Sequence, residues 1–143
     1  MKELLTQVHQ DLVEEVRSVM AEHIIPRRDE IEDSETIPDD IYRHMARAGW
    51  YGVAIPQQYG GRGAGHLARL LMIEEAAHAS GAIGGALQSA ILGTAMLQFY
   101  GSEGQKQHWL PRFARGDDVC SICVTEPGSG SHVMGMKTTA RRG

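Results

Sequence analysis

Val124-Thr125-Glu126-Pro127-Gly128-Ser129-Gly130-Ser131 gathers three hydroxyls, a carboxylate and a rigid Pro-Gly corner into eight residues. Glycine lets a backbone N–H approach an oxygen atom without a Cβ in the way, and hydroxyls add directional donors. The chemistry such a corner suits is holding a ring edge and a phosphate. The same composition also makes a surface β-turn on conformational grounds alone. The apolar run 119–124 predicts a strand that mounts the corner at its end. Within that run Cys120 and Cys123 form a lone C-x-x-C. On a strand an offset of three puts them on opposite faces, so they read as small apolar strand residues and not as a metal or redox pair.

Other constellations fall short of their chemistry. Gly63-Ala64-Gly65-His66-Leu67-Ala68 fits the loose G-x-G-x-x-A pattern ahead of a helix. Pro56 breaks the only strand candidate before it, and Ile83 stands where an acidic ribose contact belongs, about twenty residues on. A mobile hinge over 60–65 is the expectation there. Among the seven histidines no pair has the H-E-x-x-H spacing of a zinc helix, so no metal ligand is assigned. Glu74 and Glu75 offer carboxylates, but neighbours on a helix point about 100° apart and do not form a matched pair. Met20, Met45, Met72 and Met96 read as core filler.

The elements that must position the corner are mostly helical. Leu4, Leu5, Val8, Leu12, Val16, Val19 and Met20 recur at helical steps until Pro26 kinks the chain. Pro38, with Asp39 and Asp40, opens a short helix that turns Ile41 and Met45 inward and stops at Gly49. Residues 50–59 are apolar but carry Gly52 and Pro56, which predicts an ordered buried connection. A helix follows over 66–78, with Leu67, Leu70, Leu71, Ile73, Ala76 and Ala77 as its inward stripe, broken at Ser80-Gly81. Residues 82–100 are apolar on most sides, as in a central helix packed by neighbours. Ser102 to Gln105 has the form of a capping box for a last helix that carries Trp109, Leu110 and Phe113 on one side and ends at Gly116. Residues 137–141 resemble the start of a second strand.

The chain has 143 residues, a net charge of −4, 42% hydrophobic and 22% charged residues, the balance of an ordinary globular domain. Arg27-Arg28 and Arg141-Arg142 are too short to make a nucleic-acid face. The first ten residues lack the apolar core of a secretory signal, and the apolar stretch 82–97 is shorter than the roughly 20 residues of a spanning helix. These features predict a cytoplasmic protein with no membrane span. The fold expected is mainly α: an up-and-down domain of about five helices over residues 1–117, then one or two strands in a truncated β-fragment over 118–143.

Taken in order, Tyr59-Gly60-Gly61, Glu74-Glu75-Ala76, Leu92-Gly93, Tyr100-Gly101-Ser102-Glu103-Gly104-Gln105-Lys106, Trp109-Leu110-Pro111 and the 124–131 corner resemble the acyl-CoA dehydrogenase family. The resemblance spans nearly the whole chain and implies an N-terminal helical domain plus the opening of a middle β-domain. Family members are flavoproteins that dehydrogenate acyl-CoA thioesters: a glutamate removes the α-proton while a hydride passes from the β-carbon to flavin N5. The resemblance implies FAD as cofactor, contacted by Ile122, Cys123, Val124, Thr125, Glu126, Pro127, Gly128, Ser129, Gly130 and Ser131, with Thr125 hydrogen-bonding the isoalloxazine ring. Ser131 would also lie near acyl-CoA, Gln88 and Leu92 would line the acyl pocket, and Gly84 and Gly85 would either make room for it or serve helix packing. An electron-transfer flavoprotein partner and a homo-oligomeric full-length form are further implications.

Two departures stand against the family pattern. His132 occupies the place of a usual aspartate, and the family's catalytic glutamate belongs to a C-terminal domain. No catalytic residue is assigned within this chain, which is expected to be inactive in isolation. A stand-alone helical interaction module, or a subunit completed by a second chain, is the alternative expectation.

Overall fold

The computed structural model describes residues 5–34 and 36–141. Leu4, at the start of the expected first helix, and Arg142, in the second arginine pair, lie outside the described residues. The helices are α1 (Gln7–Val19), α2 (Arg28–Asp33), α3 (Asp39–Arg47), α4 (Gly65–Ala79), α5 (Gly81–Tyr100) and α6 (Glu103–Arg115). Between α1 and α2 the chain loosens into a π turn, Met20–Ile24, and tightens into a 3-10 turn, Ile25–Arg27. Pro26 explains the change, because it has no N–H to continue the helical ladder.

Two apolar clusters hold these elements. The larger joins Leu12 and Val16 of α1, Met45 of α3, Trp50 of the following connection, Met72 of α4 and Leu87 of α5. The smaller joins Ile55, Tyr59, Leu110, Phe113 and Ala114, with Leu97 and Cys120 at its edge. Each fully buried aliphatic side chain contributes about 1.5–3 kcal/mol relative to exposure. Residues 50–59 link the clusters as the buried connection their composition predicts, with Trp50, Val53 and Ile55 all fully inaccessible.

The α4–α5 hairpin turns at Ser80, and α2 clamps that corner from outside. Arg28 Nε donates to the Ala79 carbonyl at the end of α4, 2.6 Å away. One turn later on α2, Glu32 accepts from the Ser80 hydroxyl at 2.5 Å and from the Ala82 N–H at 3.2 Å. A cation thus meets a helix C-terminus and an anion meets a helix N-terminus, as the macrodipoles favour. The Ser80 hydroxyl and the α5 amides hold the Glu32 carboxyl below its usual range. A lowered folded value stabilises above the unfolded value and ceases to do so as pH falls through it. Wild type is therefore expected to melt above Glu32→Gln at neutral pH, with the gap shrinking in acid. A gap that stays constant in melts recorded across pH would contradict this.

The structure corrects several expectations. The 60–65 loop is pinned and not a mobile hinge: Arg62 forms a two-pronged pair with Glu15 of α1 at 2.9 Å for each bond, and the N–H groups of Arg62, Gly63 and Ala64 donate to Gly52, Ile55 and Val53. The inward stripe of α4 is Ala68, Met72, Ala76 and Ala79, while Leu67 and Leu70 face outward. α5 is covered on one side only, because Met96, Phe99 and Tyr100 are exposed. At 20 residues it is long and apolar enough to cross a bilayer, but its Ile83, Leu87 and Ile91 are core residues here. Trp109 is partly exposed, stacked on Phe113 with ring centroids 6.0 Å apart and the Arg112 guanidinium 5.6 Å from its ring.

Neither predicted strand forms among the described residues. Residues 119–124 and 137–141 adopt no regular element, and the one pairing is an antiparallel bridge between Glu126 and Ser129. A strand exists through its partner's N–H and C=O groups, and no neighbouring strand supplies them. The mainly helical architecture is as the sequence predicts.

Candidate functional site

α6 delivers the chain to the candidate site. Ser102 and Gln105 cap its start reciprocally, with bonds of 2.8 and 3.3 Å, and Gly116 ends it in the left-handed conformation. Leu110 and Phe113 anchor its inner face in the smaller core. Residues 120–122 then cross α5 at Gly93. A Cβ built on Gly93 would lie 2.5 Å from Cys120 Sγ, 3.1 Å from the Ser121 carbonyl oxygen and 3.3 Å from Ile122 Cγ2. The segment can run there because that position has no side chain.

This crossing changes the reading of the two cysteines. With no strand present, the opposite-face argument does not apply, and packing defines their environments instead. Cys120 lies against α5, where burial pushes its thiol pKa up. Cys123 is exposed, and both thiols are free.

Beyond Cys123 the chain folds into a compact corner. Glu126 and Ser129 exchange backbone hydrogen bonds of 3.0 and 3.1 Å around Pro127-Gly128. The buried Ser129 hydroxyl donates to the His132 carbonyl at 2.5 Å, and the Gly135 N–H donates to the same oxygen at 2.9 Å. The Glu126 carboxylate accepts the N–H groups of Lys137, at 2.9 Å, and Thr138, at 2.7 Å. Bonding by Thr138, ahead of the Lys137 amide, holds this carboxyl below the usual range. An open depression of about 330 Å³ is lined by Glu126, Pro127, Gly128, Gly135, Lys137 and Thr138.

The residues singled out in the sequence separate into groups. Ile122, Cys123, Val124, Thr125, Pro127, Gly128, Gly130 and Ser131 are exposed, whereas Ser129 and the Glu126 carboxylate are engaged inside the corner. Gln88 and Leu92 are half-buried one turn apart on α5, and Leu92 adjoins the Gly93 crossing. Gly84 serves helix packing: a Cβ there would meet Ala77 Cβ of α4 at 2.6 Å. Gly85 faces open space. Gly93, Lys137 and Thr138 are the residues that sequence reasoning left without a role. Gly93 was visible only as half of the Leu92-Gly93 pair.

The carboxylates of Glu75 and Glu126 are already engaged. Glu75 is held in a two-pronged pair by Arg17 at 2.6 and 2.7 Å, and Glu126 by backbone amides. Glu74 is exposed on α4.

A family model described as "Acyl-CoA dehydrogenase, N-terminal domain" matches residues 6–117. The chain belongs to the acyl-CoA dehydrogenase family. Among its relatives, a 3-(aryl)acrylate reductase of Clostridium sporogenes is 35% identical over 95% of this chain and 36% of its own length. A glutaryl-CoA dehydrogenase of Desulfococcus multivorans is 34% identical, again over 95% of this chain and 36% of its own length. The structure of a glutaryl-CoA dehydrogenase from Mycobacterium smegmatis in complex with FADH2 superposes with a TM-score of 0.85 at 28% identity, covering all of this chain and 37% of that one. The chain thus spans about a third of the length of these relatives.

Proposed function

We propose that residues 1–117 are the N-terminal helical domain, and residues 118–143 the opening of the middle β-domain, of an FAD-dependent acyl-CoA dehydrogenase. In this reading the protein oxidises the α,β-bond of an acyl-CoA, and the 124–131 corner is one wall of its flavin site. The observation that carries the reading is the corner's unused donor set. The Thr125 hydroxyl and the N–H groups of Gly128, Gly130 and Ser131 donate to no other described residue. A Cβ at Gly128 or Gly130 would meet nothing within 4 Å. Unpaired donors on exposed residues match the oxygen-rich edge of a flavin ring and the phosphates of FAD or CoA.

When bound, FAD would supply the acceptor for the hydride that leaves the substrate β-carbon. This chain's part is to bind and orient. Thr125 would donate to the ring edge, Ser131 would lie toward the thioester, and Gln88 and Leu92 would border the acyl chain. The proton-abstracting glutamate lies elsewhere in the polypeptide, in keeping with the engaged states of Glu75 and Glu126. An electron-transfer flavoprotein receives the electrons, and the whole protein is a homo-oligomer. The exposed Leu70, Met96 and Phe99 support further packing against this domain. The free thiols of Cys120 and Cys123 support a cytoplasmic setting.

Thr125→Val keeps the shape and removes the hydroxyl. It is expected to weaken FAD binding about three- to tenfold, the worth of one hydrogen bond, as measured by quenching of flavin fluorescence. Unchanged affinity would remove Thr125 from the site. The 143 residues alone, supplied with FAD, an acyl-CoA and an electron acceptor, are expected to show no dehydrogenation. Turnover would overturn the placement of the base.

A further inference from the structure

We propose that Glu126 is a positioning residue, whose carboxylate closes the neck of the 126–138 loop and thereby sets the direction of the donors at 125–131. The inference rests on the flavin reading above and concerns a side chain whose carboxylate is taken up by its own loop. Its two carboxylate oxygens are separately engaged, Oε2 by the Lys137 N–H and Oε1 by the Thr138 N–H. Eleven and twelve residues of chain therefore begin and end at one side chain.

Inside the loop, the Glu126–Ser129 bridge, the Ser129 hydroxyl and the Gly135 N–H fold the remaining backbone on itself. Among the described residues, none beyond Cys120 belongs to either apolar cluster. Hydrogen bonds and not core packing thus define this loop's shape, and the Glu126 pair is its only tie between residue 126 and the segment at 137–138 among the described residues. A carboxylate accepting two amide donors is a charge-assisted arrangement that a neutral side chain reproduces only in part. The carboxyl is held in its anionic form, which keeps the clamp intact at neutral pH.

The position makes specific demands on a replacement. Glutamine has the same reach but a single acceptor oxygen, so it keeps one of the two bonds. Alanine keeps neither. Glu126→Ala is expected to weaken FAD binding at least about tenfold, the worth of a hydrogen-bonded charge, and Glu126→Gln by clearly less. Amide exchange at Lys137 and Thr138 should rise in the same order. Because the loop lies outside both clusters, the helical melting temperature should stay at the wild-type value in both variants, which separates positioning from general destabilisation.

The test is FAD titration of the flavin-binding polypeptide carrying wild-type, Gln or Ala at 126, with hydrogen exchange and thermal melts on the same samples. A graded loss from wild type through Gln to Ala, at constant melting temperature, is the expected result. Equal FAD affinity in wild type and Glu126→Ala would overturn the inference while leaving the flavin reading in place. A wild-type protein that takes up no FAD would remove the flavin reading, and this inference with it.

Discussion

Trp50→Ala is expected to cost about 3–5 kcal/mol of stability, the range for emptying a buried aromatic site. Trp50 is fully inaccessible within the larger core, on the connection that leads to the second core. Its indole N–H also donates to Glu15 at 2.8 Å. Glu15 is a junction: burial alone would raise its carboxyl pKa, but bonds from Arg62 and Trp50, with the Arg62 charge, outweigh that and leave it lowered. Removing the indole therefore opens a cavity and takes one donor from a half-buried carboxylate whose other partner pins the 60–65 loop. Trp50→Phe keeps most of the ring and loses the donor, so it should cost about 1–3 kcal/mol. Urea melts of the three proteins give the comparison. A loss under about 1 kcal/mol for the alanine variant would contradict the place given to Trp50.

The second large effect is expected at Gly93. Gly93→Val adds a branched side chain where a Cβ alone would sit 2.5 Å from Cys120 Sγ and 3.1 Å from a backbone oxygen. The sulfur can turn aside, but the Ser121 carbonyl cannot move without the chain. Residues 120–122 must then lift from α5, at the roughly 1–3 kcal/mol typical of overpacking. The shift passes directly into the corner beginning at Thr125, so FAD affinity is expected to fall by about five- to 150-fold, the same free energy expressed as binding. Gly93→Ala should fall between this variant and wild type. Calorimetric titration with FAD distinguishes the outcomes, and a valine variant that binds as wild type does would detach the corner from α5.

What was legible in the sequence was local. The Ser102–Gln105 capping box, the stops at Gly49 and Gly116, and the break at Pro26 are written in a few adjacent residues, and each appears in the structure. What was not legible depended on distant partners. α4 has Arg69, Glu74, Glu75 and two histidines spread around its apolar residues, so its own sequence does not say which face turns inward. The close approach of Gly84 to Ala77 favours small residues on that side, and Leu67 and Leu70 face outward. The 60–65 loop has a flexible composition, but a guanidinium at position 62 reaches a carboxylate 47 residues away. The run 119–124 has β-type residues without a strand to pair with, so its propensity stays unexpressed.

The candidate site divides in the same way. Its donors were visible as a string of Thr, Gly and Ser, because turn chemistry is local. The ties that shape it were not: the Gly93 crossing and the Glu126 clamp join segments about 10–30 residues apart, where spacing carries no signal.

The most direct test of the flavin reading is an anaerobic titration with acyl-CoA of the polypeptide translated from the gene encoding this chain, loaded with FAD. The account predicts that FAD is taken up and that acyl-CoA bleaches its visible absorbance as the hydride arrives, with uptake weakened in Thr125→Val. A polypeptide that binds no FAD, or whose bound flavin is left unbleached by every acyl-CoA supplied, would contradict it.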